Sequence, residues 1–106
     1  MLRAFALLCC TLFFAAFGSA WGAEPVTYRC DDGSEVTATF LQSDPQAAVI
    51  AEAGRLQVLP LRRSASGARY ASSDGLGATT FWVKGDEARY ERPRAVARNC
   101  RVDARD

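Results

Sequence analysis

Apolar residues recur in this chain with a period of two, in short runs broken by turn signals, and this pattern excludes most folds. Val26, Tyr28 and Cys30 alternate with Thr27 and Arg29, and Asp31-Asp32-Gly33-Ser34 then reads as a hairpin turn. From Glu35 to Phe40, Val36, Ala38 and Phe40 share one face, and Thr37 and Thr39 the other. Gln42-Ser43-Asp44-Pro45 interrupts, and Gln46 to Ala51 carries Val49-Ile50, which favours strand over helix. After the turn Glu52-Ala53-Gly54, a strand runs from Arg55 to Leu61, with Pro60 marking an edge or strand end. Thr79 to Lys84 and Glu87 to Glu91 form a hairpin around Gly85-Asp86. Ala95 to Cys100 reads as a last strand, with Arg101 to Asp106 as a frayed tail. No helical stripe, internal repeat or second domain appears. Seven or eight short strands joined by turns predict an all-β antiparallel sandwich or small barrel. Closure into a barrel would remove exposed edges.

The first 23 residues read as a secretory leader. Met1-Leu2-Arg3 is a short positive start and Ala4 to Phe17 is almost unbroken apolar sequence, followed by small residues suited to cleavage after Ala20 to Ala23. The apolar run is shorter than the roughly 20 residues a membrane-spanning helix needs. Leu8 before Cys9, and Cys9 before Cys10, do not supply the small residue that lipidation requires. The expectation is therefore a periplasmic domain over residues 24–106 without a stable membrane anchor. Cys9 and Cys10 leave with the leader, so Cys30 and Cys100 have one pairing available in an oxidising compartment. Their link would join the first strand to the last few residues, worth about 4 kcal/mol in a domain with a thin core.

Charge and residue inventory narrow the function. Of 13 Lys+Arg, Arg3 leaves with the leader, and the remaining 12 balance the 12 Asp+Glu. A general nucleic-acid or membrane-surface binder would need a strong basic excess, so any electrostatic role must be local. The chain has no histidine, no metal-ligand cluster and no Gly-rich phosphate loop, so no metal or cofactor is expected. Ser64 or Ser66 with Lys84 would be a Ser–Lys nucleophile pair only with a desolvated lysine; Asp86 and Glu87 close by would keep it charged, and no catalytic residue is assigned.

The stretch from Ser64 to Ala88 concentrates what remains. Ser64-Ala65-Ser66-Gly67-Ala68-Arg69-Tyr70 is small and turn-forming, and reads as a hydroxyl-bearing loop. Phe81-Trp82-Val83-Lys84-Gly85-Asp86-Glu87-Ala88 alternates, with Phe81 and Val83 on one side and Thr80, Trp82 and the chain's only lysine, Lys84, on the other. Loop and strand together form one binding surface. A second reading makes Trp82 and Tyr70 a stacking platform for cell-wall glycan or a small ligand. A second copy of the chain is also a candidate partner, through Trp82 or a barrel edge.

These two motifs, together with Tyr28-x-Cys30 and Asn99-Cys100, resemble the family of bacterial inhibitors of c-type lysozyme, which has membrane-bound and periplasmic members. The resemblance implies an eight-stranded antiparallel β-barrel whose partner is a host or competitor c-type lysozyme. It implies that the serine loop enters the lysozyme cleft, assisted by a strand lysine. Carried onto this chain, the serine is Ser66, by its place before Gly67, with Ser64 as the other choice. The lysine is Lys84, and Arg69 and Tyr70 support the loop. The spacer from Ala71 to Thr80 is longer than the family's usual connection, and an extended hairpin tip would absorb it without moving either strand.

Overall fold

The computed structural model describes residues 24–103, so the leader and its cleavage point lie outside the described residues. Eight strands follow in order: β1 (Val26–Cys30), β2 (Glu35–Leu41), β3 (Ala47–Glu52), β4 (Arg55–Arg62), β5 (Ala68–Ala71), β6 (Thr80–Lys84), β7 (Glu87–Glu91) and β8 (Arg98–Val102). Each pairs antiparallel with its chain neighbours, and β8 returns to β1, closing the barrel. Between sandwich and barrel, the chain forms the barrel.

Three expectations are corrected. The second half of Ser64–Tyr70 is not loop: Ala68 to Ala71 is strand β5, in register with β6 through Arg69↔Trp82 and Tyr70↔Phe81. The last strand begins at Arg98 rather than Ala95, and Arg101 and Val102 belong to it instead of to a tail. Both shifts follow from long-range pairing, since Arg29↔Arg101 and Tyr28↔Val102 draw the chain end into the ladder. Thr80 lies on the Trp82 side of β6 yet is buried, like its partner Ala71. There the Arg62 side chain crosses the strand to donate to the Ala71 and Ser72 carbonyls, each at 3.2 Å.

Inward positions alternate large and small, as a narrow barrel requires. Phe81 is fully buried, with Tyr28 edge-on at 5.2 Å and Tyr90 edge-on at 5.7 Å. Ala38, Ala48 and Ala88 leave room for those rings, and Val36, Ile50 and Leu59 fill the remaining space. Cys30 and Cys100 are direct cross-strand partners on β1 and β8, and are disulfide-bonded. The link closes the seam where chain end meets chain start.

An up-and-down barrel sorts its connections into two ends. The β2–β3, β4–β5 and β6–β7 connections lie at one end, which holds Ser64, Ser66, Gly67 and the turn after Lys84. The β1–β2, β3–β4, β5–β6 and β7–β8 connections lie at the other. At that far end Arg98 is buried and clamps both Glu52 oxygens, with Nη2 at 2.8 Å from Oε1. It also donates to Ser34 Oγ at 2.7 Å and stacks 4.8 Å above the Tyr90 ring. One guanidinium thus joins β8, β3, β7 and the β1–β2 turn.

Two predictions follow from this architecture. The disulfide closes a loop with a sequence separation of 70, so replacing both cysteines by alanine should cost about 4 kcal/mol in urea unfolding. Hydrogen bonding to Arg98 holds the Glu52 carboxyl below its usual range. A carboxyl depressed in the folded state stabilises the fold above the unfolded-state value, and that contribution is lost as pH falls through the folded value. Stability should therefore drop on acidification below about pH 4. Glu52→Gln should remove that part of the pH dependence and cost about 3 kcal/mol at pH 7, because it leaves Arg98 buried without its carboxylate.

Candidate functional site

The short strand β5 is preceded by Ser64-Ala65-Ser66-Gly67, which must turn the chain and bring it against β6. Two contacts hold it there. Trp82 Nε1 donates to the Ser66 carbonyl at 2.8 Å, and Ser64 Oγ donates to the same oxygen at 2.6 Å. The Ser66 amide points back at Ser64 Oγ, at 3.3 Å. Ser64 is thus occupied in shaping the turn. Ser66 differs: the residue is exposed, and its hydroxyl makes no hydrogen bond to any described residue.

Gly67 makes the close approach possible. Its φ is +64°, in the left-handed region, and a Cβ there would stand 2.4 Å from the Val83 carbonyl and 2.7 Å from Lys84 Cγ. No side chain fits without moving the loop off β6. The next connection is the turn Gly85-Asp86, where Gly85 has φ +59° and reverses the chain directly after Lys84.

Lys84 is exposed, and its Nζ lies 5.0 Å from the centroid of the Trp82 ring. Its neighbours have found other partners. Glu87, directly across the hairpin, bonds Arg101. Arg29 pairs with Glu35 at 2.7 Å and Asp103 at 3.4 Å, and Arg89 with Glu91 at 3.3 Å. Among the described residues, no carboxylate lies within ion-pair distance of Lys84. A groove of about 510 Å³ runs beside it, bordered by Trp82, Glu87, Arg89, Asn99 and Arg101.

The structure therefore brings Ser66, Gly67 and Lys84 together around Trp82. It does not bring Tyr70 to that surface. Tyr70 points inward, 8 % exposed, against Phe40 at 5.5 Å, and burial pushes its phenol up and holds it neutral. Arg69 is on the outer face opposite Trp82, but its guanidinium reaches toward Asp74, at 3.8 Å, together with that of Arg62. The Trp82–Tyr70 platform is thereby corrected: the two rings lie on opposite faces of the sheet and cannot stack on one ligand. The long spacer emerges between β5 and β6 at the far end, and Ser72 N to Thr79 O, at 3.0 Å, continues the hairpin into its base. Its extra residues leave Ser66 and Lys84 undisturbed.

Sequence reasoning missed the part Trp82 plays in the site. Its signal was present: a large ring on the polar side of an alternating strand, two residues before the lysine. Only the fold shows that the indole N–H is used on the Ser66 carbonyl and the ring face on the ammonium.

No curated protein and no solved structure matches the chain. Among the described residues no helix is long and apolar enough to cross a membrane. Residues 28–99, most of the chain, match the family described as membrane-bound lysozyme-inhibitor of c-type lysozyme (MliC). That span takes in both strands bearing Trp82 and Tyr70, the Ser64–Gly67 loop and Lys84, and with a match of this length the chain belongs to the MliC family of lysozyme inhibitors.

Proposed function

We propose that this protein inhibits a c-type lysozyme by inserting the Ser66–Gly67 loop and the Lys84 ammonium into the enzyme's substrate groove. The observation that carries the reading is that one indole holds both the Ser66 backbone carbonyl and the Lys84 ammonium, on residues whose hydroxyl and charge have no hydrogen-bond or carboxylate partner among the described residues. Lysozyme cleaves its glycan with one protonated acid and one ionised carboxylate. A serine hydroxyl can donate to the ionised group or accept from the acid, as a substrate hydroxyl would. An ammonium strengthens such a contact by charge and favours approach to an acidic cleft.

Preorganisation supports the same reading. The loop is short, stapled by Ser64 and held by Trp82, so little backbone freedom is lost on docking. The inhibitor undergoes no chemistry; it fills the groove and competes with glycan. Arg69 and Tyr70 act from behind, as sheet residues beneath the loop. The protein acts in the periplasm after removal of the leader, free of a stable lipid anchor.

Two measurements test this. Ser66→Ala combined with Lys84→Ala should raise the inhibition constant against c-type lysozyme about a hundredfold, the loss of roughly 3 kcal/mol from hydrogen bonds to charged groups. Unchanged potency would refute the site. Gly67→Ala, with both of those residues intact, should weaken inhibition at least about tenfold, because the left-handed backbone and the Val83 carbonyl force the loop outward. The midpoint of urea unfolding, measured alongside, separates loop displacement from loss of the barrel.

A further inference from the structure

The described arginines are, with few exceptions, matched to carboxylates. Arg29, Arg62, Arg69, Arg89, Arg98 and Arg101 each lie within 4 Å of an aspartate or glutamate. The side chains of Arg55, Arg63 and Arg94 form no hydrogen bond or ion pair with any described residue; Arg63 lies in the β4–β5 connection, whereas Arg55 and Arg94 border one groove, at the end of the barrel opposite Ser66 and Lys84. Arg92 is the third guanidinium there. Its carboxylate, Glu52, stands 3.8 Å away and already has both oxygens engaged by Arg98. The groove, about 440 Å³, thus has three arginines around one carboxylate whose charge is already used.

Its walls are built. Arg92 lies over the Tyr90 ring at 5.8 Å. Pro93 follows, and the Ala95 amide donates to the Arg92 carbonyl at 3.3 Å, closing a tight turn. Within that turn Arg94 takes a φ of +62°, a left-handed conformation unfavourable for a side-chain-bearing residue. Arg55, the first residue of β4, lines the same groove, and Gln57 and Thr79 add polar groups. Several guanidinium groups lining one groove match the several oxygens of a phosphate group, which accepts paired N–H bonds from more than one arginine.

We propose that this groove binds a phosphate-bearing anion through Arg55, Arg92 and Arg94. The phosphate could belong to a lipid headgroup or to a soluble phosphorylated solute. In either case the ligand would sit at the opposite end of the barrel from Ser66 and Lys84, so the protein can hold both partners at once. The inference does not depend on the lysozyme reading.

The test is titration of the purified protein with inorganic phosphate, following backbone amide resonances, with sodium chloride and sodium sulfate at matched ionic strength. Saturable shifts centred on Arg92 to Ala95 and on Arg55, about tenfold weaker in the Arg55→Gln, Arg94→Gln double variant, would support the site. Ser66→Ala should leave those shifts intact, and the double variant should still inhibit lysozyme. Absence of saturable shifts, or equal shifts with all three salts, would overturn the proposal by reducing the groove to a diffuse cationic surface. Co-sedimentation with phosphatidylglycerol vesicles, against phosphatidylcholine vesicles, assigns the source. Retention that free phosphate displaces points to a headgroup, and phosphate binding without retention points to a soluble ligand.

Discussion

Everything in this molecule depends on β8 closing against β1. Eight strands of four to eight residues cannot each bury a face unless the sheet curls back on itself. The closing pair is the one ladder whose partners come from opposite ends of the domain, so chain entropy opposes it more than any other. The Cys30–Cys100 bond lies inside that ladder, with both sulfurs in the core. A covalent link at this seam removes from the unfolded chain the freedom that would otherwise favour an open sheet.

Closure also separates two kinds of polar chemistry. At the far end, Arg98, Glu52, Ser34 and Asp32 bond to one another, and the Arg55 and Arg94 side chains at that end have no carboxylate partner among the described residues. Ser34 bonding holds the exposed Asp32 carboxyl below its usual range. Along the outer face, ion pairs on β1, β2, β7 and β8 leave out Lys84. The ammonium is held by the face of Trp82, a contact weak enough to exchange for a carboxylate without leaving a desolvated charge behind. That leaves the ammonium positioned, exposed and without a carboxylate among the described residues.

The Ser64–Gly67 segment illustrates how few residues such positioning needs. Ser64 Oγ and Trp82 Nε1 converge on a single carbonyl, and the absence of a Cβ at Gly67 lets the turn rest on β6. Two serines that look alike in the sequence thereby separate into a staple and a hydroxyl with no hydrogen bond among the described residues. Tyr70, three residues beyond Gly67, belongs to the core that supports them.

Local pattern determined much of this protein. Alternation over Val26–Cys30 and Glu35–Phe40, the Asp32-Gly33 and Gly85-Asp86 turns, and the expected pairing of Cys30 with Cys100 were enough for an all-β fold with that bridge. The two central motifs were enough for its family. Period-two alternation says which residues share a face of one strand, but carries no information about the register between strands. For that reason alternation alone left sandwich and barrel open, and the eight-stranded barrel came from the family motifs; the inclusion of Arg101 and Val102 in β8 and the placement of Tyr70 and Trp82 on opposite faces were decided by the tertiary structure. The same holds for charge. Glu87 sits three residues from Lys84 in the sequence, yet it bonds Arg101, because in a closed ring the neighbour across the next strand competes with the neighbour along the chain.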